Sequence, residues 1–219
     1  MKNKFLLKLS FVALFAAIIA VGCFIAIPIG VVPIVIQNAL AVLSGCLLGT
    51  KLGGAPTALF LLAGLVGLPV YSGGGSGVAH WMGPTGGFLP GYLLGAIVAG
   101  LIAGVPTVEE KKITWKRVVR ISIAMFAGMI VLYIPGVIRF ASWALGSGKI
   151  TADMNQWSYA MSAAVLPYLP GDLLKTIIAI PVALKVRPML ARYLCLTKVG
   201  SKKSSSTTVK CEVSEKEDK

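Results

Sequence analysis

The feature that most limits what this chain can fold into is a series of apolar stretches, each roughly 20 residues long, separated by short polar or basic connections. A helix of that length crosses a hydrocarbon core about 30 Å thick. Lipid offers no water to peptide groups, so each stretch must close its own backbone hydrogen bonds as a helix. Composition agrees. Of the 219 residues, 56% are hydrophobic and only 13% charged, against about a quarter charged in an ordinary soluble domain. The mean hydropathy is +0.83. The sequence predicts an all-α integral membrane protein with six transmembrane helices, over 7–27, 34–50, 57–68, 88–105, 118–140 and 170–186. They form one bundle within 1–197, and the polar stretch 198–219 is expected to be a disordered cytosolic tail.

The formal charge of +13 would suit a nucleic-acid binder, so the position of each charge matters. Lys2, Lys4 and Lys8 precede the first apolar run, and Lys51 sits in a tight connection. Lys111, Lys112, Lys116, Arg117 and Arg120 form a mid-chain cluster, and nine more follow Ala183, beginning with Lys185 and Arg187. These are alternate connections, the distribution of cytoplasmic loops. Six spans then place both termini in the cytoplasm, in agreement with the charges. No basic face interleaved with aromatic residues is present that could stack bases. The charge orients a multi-pass protein of the cytoplasmic membrane in its bilayer and does not bind nucleic acid.

Several other chemistries are excluded. Cys23, Cys46, Cys195 and Cys211 have no CxxC spacing, and His80 is the single histidine, so neither a zinc site nor a disulfide framework is indicated. No GxxxxGK[ST] motif is present to cradle a nucleotide. The start resembles a signal peptide, down to Ala20-Val21-Gly22-Cys23, but the apolar run continues to Ile27 and is read as the first membrane helix.

Polar groups inside the spans are the candidates for function. A charged side chain at membrane depth costs about 2.5–3.5 kcal/mol on insertion scales. Asp172 and Lys175 both fall inside the sixth predicted span, in its outer half and well away from Lys185 and Arg187 at its inner end. Three apart, they share a helix face. They either pair with each other, with Asp172 favouring the helix's positive end, or form a clamp. In the clamp Asp172 accepts from a ligand's N–H groups and Lys175 meets its carbonyl or anionic group. The stretch 67–87, rich in glycine and without formal charge, reads as a compact loop lining a pocket with Tyr71 and the backbone of Gly73, Gly74 and Gly75. His80 and Trp81 read as interfacial anchors. Gln37 and Asn38, near the outer end of the second helix, can bond a ligand or a neighbouring helix. In the first helix Ala13 and Ala17, and likewise Ala16 and Ala20, stand four apart and leave a smooth stripe for helix packing. Gly87, Gly91 and Gly95 do the same in the fourth.

Three stretches, "IPIGVVPIVIQN", "GLPVYSGGGSGVAHWMGPTGGFLPGYLLG" and "YLPGDLLK", together resemble the BioY family, the biotin-specific S subunits of energy-coupling factor transporters. The resemblance covers roughly residues 8 to 190. It implies an S-component-like bundle that holds biotin near the extracellular side, as transported ligand rather than cofactor. The binding elements it implies are the loops before the second and fourth helices together with the fourth and sixth helices. Asp172 and Lys175 are then substrate-binding, and Thr85, Tyr92 and Tyr168 join the set. It also implies docking of an alanine motif, best matched by Ala13 and Ala17 with Ala16 and Ala20 as the other register, to a coupling membrane subunit served by two ATPase subunits. The competing readings are a membrane-embedded enzyme using the Asp/Lys pair and a carrier of another small vitamin-like molecule.

Overall fold

The computed structural model describes residues 2–27, 34–107, 113–150 and 155–194. Most of these residues are helical. In chain order the elements are α1 (Lys2–Val21), β1 (Ala26–Ile27), β2 (Ile34–Val35), α2 (Gln37–Leu52), α3 (Ala55–Leu65), α4 (Gly77–Met82), α5 (Phe88–Ala103), α6 (Trp115–Gly146), α7 (Gln156–Ala164) and α8 (Leu169–Leu194). The predicted tail 198–219 lies outside the described residues.

The outer surface is inverted relative to a soluble protein. Leu14, Ile18, Leu62, Leu101, Ile123, Ile130, Ile134, Leu174 and Ile178 are exposed along the helices, which is stable only where the solvent is itself apolar. The membrane class read from the sequence holds. The span count is coarser than expected. Among the described residues two helices are long and apolar enough to cross a bilayer, Phe5–Phe24 and Trp115–Gly146. Helices α2 and α3 meet at a bend of 115° and can together count as one broken span, while α5 is a shorter apolar helix.

The centre is built by α5 lying between α2 and α6, the two most extensive helix pairings. Glycine makes this possible. A Cβ at Gly91 would stand 2.3 Å from the carbonyl oxygen of Leu132, and one at Gly95 would stand 2.6 Å from that of Gly128. The small-residue face read from the sequence is therefore the face on which α6 packs, backbone against backbone. Tyr92 on α5 and Tyr133 on α6 are brought together by this packing.

Several boundaries differ from the sequence reading, each for a local reason. After α1, Ala26 pairs with Val35 and Ile27 with Ile34 in an antiparallel ladder that the sequence reading did not include. Residues 28–33 lie outside the described ones. Helix α6 runs through Pro135 to Gly146 rather than ending at Phe140. Membrane helices tolerate such a proline because neighbours satisfy the freed groups. Helix α8 passes Pro181 and Pro188 to end at Leu194, well beyond 186. Helix α7 precedes the sixth predicted span and was not among the six; Asn155 caps it, its side chain accepting from the N–H of Trp157 at 2.9 Å.

Candidate functional site

At one end of α8 the chain assembles a polar cluster. Leu169 begins the helix, so Asp172 falls in its first turn, where a carboxylate is favoured. Asp172 is 6% exposed and lies among three donors. Its Oδ2 accepts from Asn38 Nδ2 at 2.9 Å and from the Tyr133 hydroxyl at 2.5 Å. Its Oδ1 accepts from Lys175 Nζ at 2.6 Å. Lys175 also donates to the Val35 carbonyl at 2.8 Å and to Asn38 Oδ1 at 3.5 Å. The intrahelical pairing of Asp172 with Lys175, one of the two readings of the sequence, is present in the structure.

The pair nevertheless borders a void. A cavity with an empty volume of about 540 Å³, open mouth included, is lined by Gln37, Asn38, Thr85, Phe88, Tyr92, Tyr133, Tyr168 and Asp172, among others. Small-molecule sites have this makeup, with aromatic walls and a few placed polar groups. Asp172 faces the cavity. Lys175 is not among its lining residues and stands behind the carboxylate as its counter-ion.

The glycine-rich loop is ordered differently from the expected lining of backbone N–H groups. Tyr71 and Gly75 bridge, with the Tyr71 N–H donating to the Gly75 carbonyl at 2.9 Å. Gly73 and Gly74 make the turn between them at φ of 69° and 77°, where a side chain would be strained. Tyr71 is fully buried. Its hydroxyl donates to the Leu61 carbonyl at 2.6 Å and accepts from Trp81 Nε1 at 3.0 Å. It is the internal post on which the loop hangs, and neither it nor Gly73, Gly74 or Gly75 lines the cavity. Ser72 and His80 do. The His80 ring packs 5.2 Å from that of Tyr71, with Nε2 3.3 Å from the Thr85 hydroxyl, and burial pushes its pKa below the usual imidazole range. So His80 belongs to the cavity wall and Trp81 to the Tyr71 post.

Gln37 donates from Nε2 to the carbonyls of Ile19 and Val70, at 3.2 and 2.7 Å. It ties α1 and the glycine loop to α2 while also bordering the cavity. Among the lining residues that the sequence reading missed, Tyr133 is the one bonded to Asp172. A tyrosine within an otherwise aliphatic stretch was the available clue, because a buried hydroxyl needs a partner.

The alanine stripe divides. Ala16 is buried and Ala20 half-buried within the bundle, whereas Ala13 and Ala17 are exposed. At the far end of α8 lies a second departure. Arg187, read as part of a cytosolic basic group, is fully buried. Its guanidinium donates to the carbonyls of Cys46, Ala103 and Gly104, the last two at 3.0 and 3.2 Å. Arg117 likewise reaches the Leu184 carbonyl at 2.5 Å. Both satisfy carbonyls that would be costly to leave unpaired at membrane depth.

The family model described as BioY matches residues 1–192 of the chain. The chain is 33% identical over 176 residues to the biotin transporter BioY of Thermotoga maritima, covering 80% of this chain and 93% of that protein. It is 34% identical over 183 residues to the biotin transporter BioY of Rhodobacter capsulatus, covering 78% of this chain and 88% of that one. A crystal structure of the S-component for biotin from an ECF-type ABC transporter superposes with a TM-score of 0.69 at 27% identity, over 85% of this chain and 94% of that one.

Proposed function

The chain belongs to the BioY family, and on that premise we propose that it captures biotin and admits it across the cytoplasmic membrane as the substrate-specific subunit of an ATP-driven transporter. It is a transporter protein, like the relatives it matches, and not an enzyme. The observation that carries the reading is the Asp172 carboxylate facing an aromatic cavity. A carboxylate offers about four acceptor positions, and three are taken by Asn38, Tyr133 and Lys175. A ureido ring, with two N–H donors and a carbonyl, matches what remains. Its N–H meets Asp172 and its carbonyl meets the Asn38 amide or the Thr85 hydroxyl. Phe88, Tyr92 and Tyr168 supply apolar walls for the thiophane ring and the valerate chain.

In this reading Lys175 keeps Asp172 ionised and in place from behind rather than touching biotin. The chain crosses the bilayer six times with both termini in the cytoplasm, supported by the basic residues in alternate connections. ATP hydrolysis belongs to separate subunits, a coupling membrane protein and two ATPases. The exposed Ala13 and Ala17 of α1 are the surface for the coupling protein, and Ala16 and Ala20 serve the bundle.

The test is a calorimetric titration of the purified, detergent-solubilised chain with biotin, thiamine and riboflavin. Saturable binding of biotin alone is expected. Tighter binding of either other vitamin, or none of biotin, overturns the assignment.

A further inference from the structure

Behind the biotin cavity lies a second void, between α6 and α8, with an empty volume of about 390 Å³, its open side included. Its walls are Phe126, Met129, Ile130, Leu169, Leu173 and Thr176. Ile130, Leu169 and Leu173 are exposed on the apolar surface of the bundle, so this cleft opens sideways, toward lipid. The Thr176 hydroxyl donates to the Asp172 carbonyl at 2.7 Å, which leaves the cleft essentially apolar.

Two residues line both voids, Tyr133 and Asp172, and they are joined by their 2.5 Å hydrogen bond. That bond, with the tyrosine ring beside it, is the partition between the cavity and the lateral cleft. Phe88 buttresses the ring edge-to-face, with centroids 6.0 Å apart, from the cavity side. We propose that Tyr133 is the specificity-determining residue of this site: its ring bars the ligand from the α6–α8 cleft, and its hydroxyl positions the Asp172 carboxylate toward the cavity. The proposal rests on the biotin reading above and deepens it. Chemically, the partition sets an upper limit on the bulk of the bound molecule at the end nearest Asp172. Removing the ring joins the aromatic cavity to the apolar cleft, so the added room favours ligands that carry an extra apolar substituent.

The experiment compares affinities in the full-length purified chain for biotin, for a biotin alkylated on a ureido nitrogen, and for a biotin amidated at its carboxylate with a small alkyl amine. The two analogues probe opposite ends of the molecule. In Tyr133→Ala, the ratio of biotin to analogue affinity is expected to fall at least about tenfold for the ureido-alkylated analogue, whose added bulk lies at the Asp172 end, and to hold for the amide. In Tyr133→Phe, the ring and both ratios persist, while biotin affinity drops about tenfold because Asp172 loses a donor. An unchanged ratio for the ureido-alkylated analogue in Tyr133→Ala, with biotin still bound, overturns the partition. Wild-type biotin affinity in Tyr133→Phe overturns the positioning role. If Tyr133→Ala does not elute as a monodisperse species, Tyr133→Leu takes its place with the same expected fall. A wild-type chain that ignores biotin would instead sink the function on which the proposal stands.

Discussion

Asn38 and Asp172 stand far apart in the chain, yet the amide of one donates to the carboxylate of the other at 2.9 Å. The contact joins the start of α2 to the start of α8. Asn38 also uses its own side-chain oxygen as acceptor, taking the backbone N–H of Ala39 at 2.8 Å, so the amide's orientation is set by the helix it opens. Its Nδ2 is thereby aimed at Asp172, and the carboxylate is aimed into the cavity.

Removing the carboxylate's charge should weaken biotin capture. In Asp172→Asn the shape is kept, but a donor replaces an acceptor. At least a tenfold rise in Kd is expected, about 1.4 kcal/mol. Calorimetry on purified protein reads it, and an unaltered Kd would take Asp172 out of the site.

Lys175 should behave differently from Asp172, because it stands behind the carboxylate. Lys175→Met leaves a nearly buried anion without its counter-ion, the side chains of the pair being 17% and 8% exposed. A stability loss of about 3 kcal/mol follows, visible as a lowered Tm in detergent. The double variant Asp172→Asn/Lys175→Met should be more stable than Lys175→Met alone, since both charges are gone. Additive losses in the double variant would show that the pair is not coupled.

Gly95 stands against the carbonyl of Gly128, and Gly91 against that of Leu132. Gly95→Val therefore forces α5 away from α6, at a cost of about 1–3 kcal/mol for an overpacked interior. Because Tyr92 and Tyr133 sit on these two helices, biotin affinity should fall together with Tm. A variant that keeps both would mean the helix spacing is not what holds the cavity walls.

The sequence made the membrane class, the buried acid–base pair and the α5 glycine face legible, because each is a local pattern with one physical solution. A charge in a greasy stretch must be buried, and glycines four apart must face a neighbour. What was not legible depends on partners distant in sequence. Tyr133 is an unremarked tyrosine until α6 brings its hydroxyl to Asp172. Tyr71 looks like a loop residue facing a ligand until Leu61 and Trp81 claim its oxygen. Arg187 counts as one more basic residue near the end of a helix until carbonyls on two other elements close around it. In each case composition supplied the group, and the fold supplied the partner that decided its role.

His80 is expected to make the site sensitive to acid. Burial holds its imidazole pKa below the ordinary value of 6.5, so the folded chain favours the neutral ring. The sign follows: the stabilisation is complete above the ordinary imidazole range and is lost as pH falls from there through the lowered value, where the folded ring must also take a proton. His80 borders the biotin cavity, and its ring rests on Tyr71. Protonation would place a cation beside the loop's central post and disturb its position next to Thr85. Biotin affinity and Tm are therefore expected to decline together as pH is lowered from 7.5 to about 5. In His80→Gln, which keeps a polar partner for the Thr85 hydroxyl but cannot titrate, both profiles should flatten over the same interval. Identical pH profiles for the wild type and this variant would assign the acid sensitivity to another group.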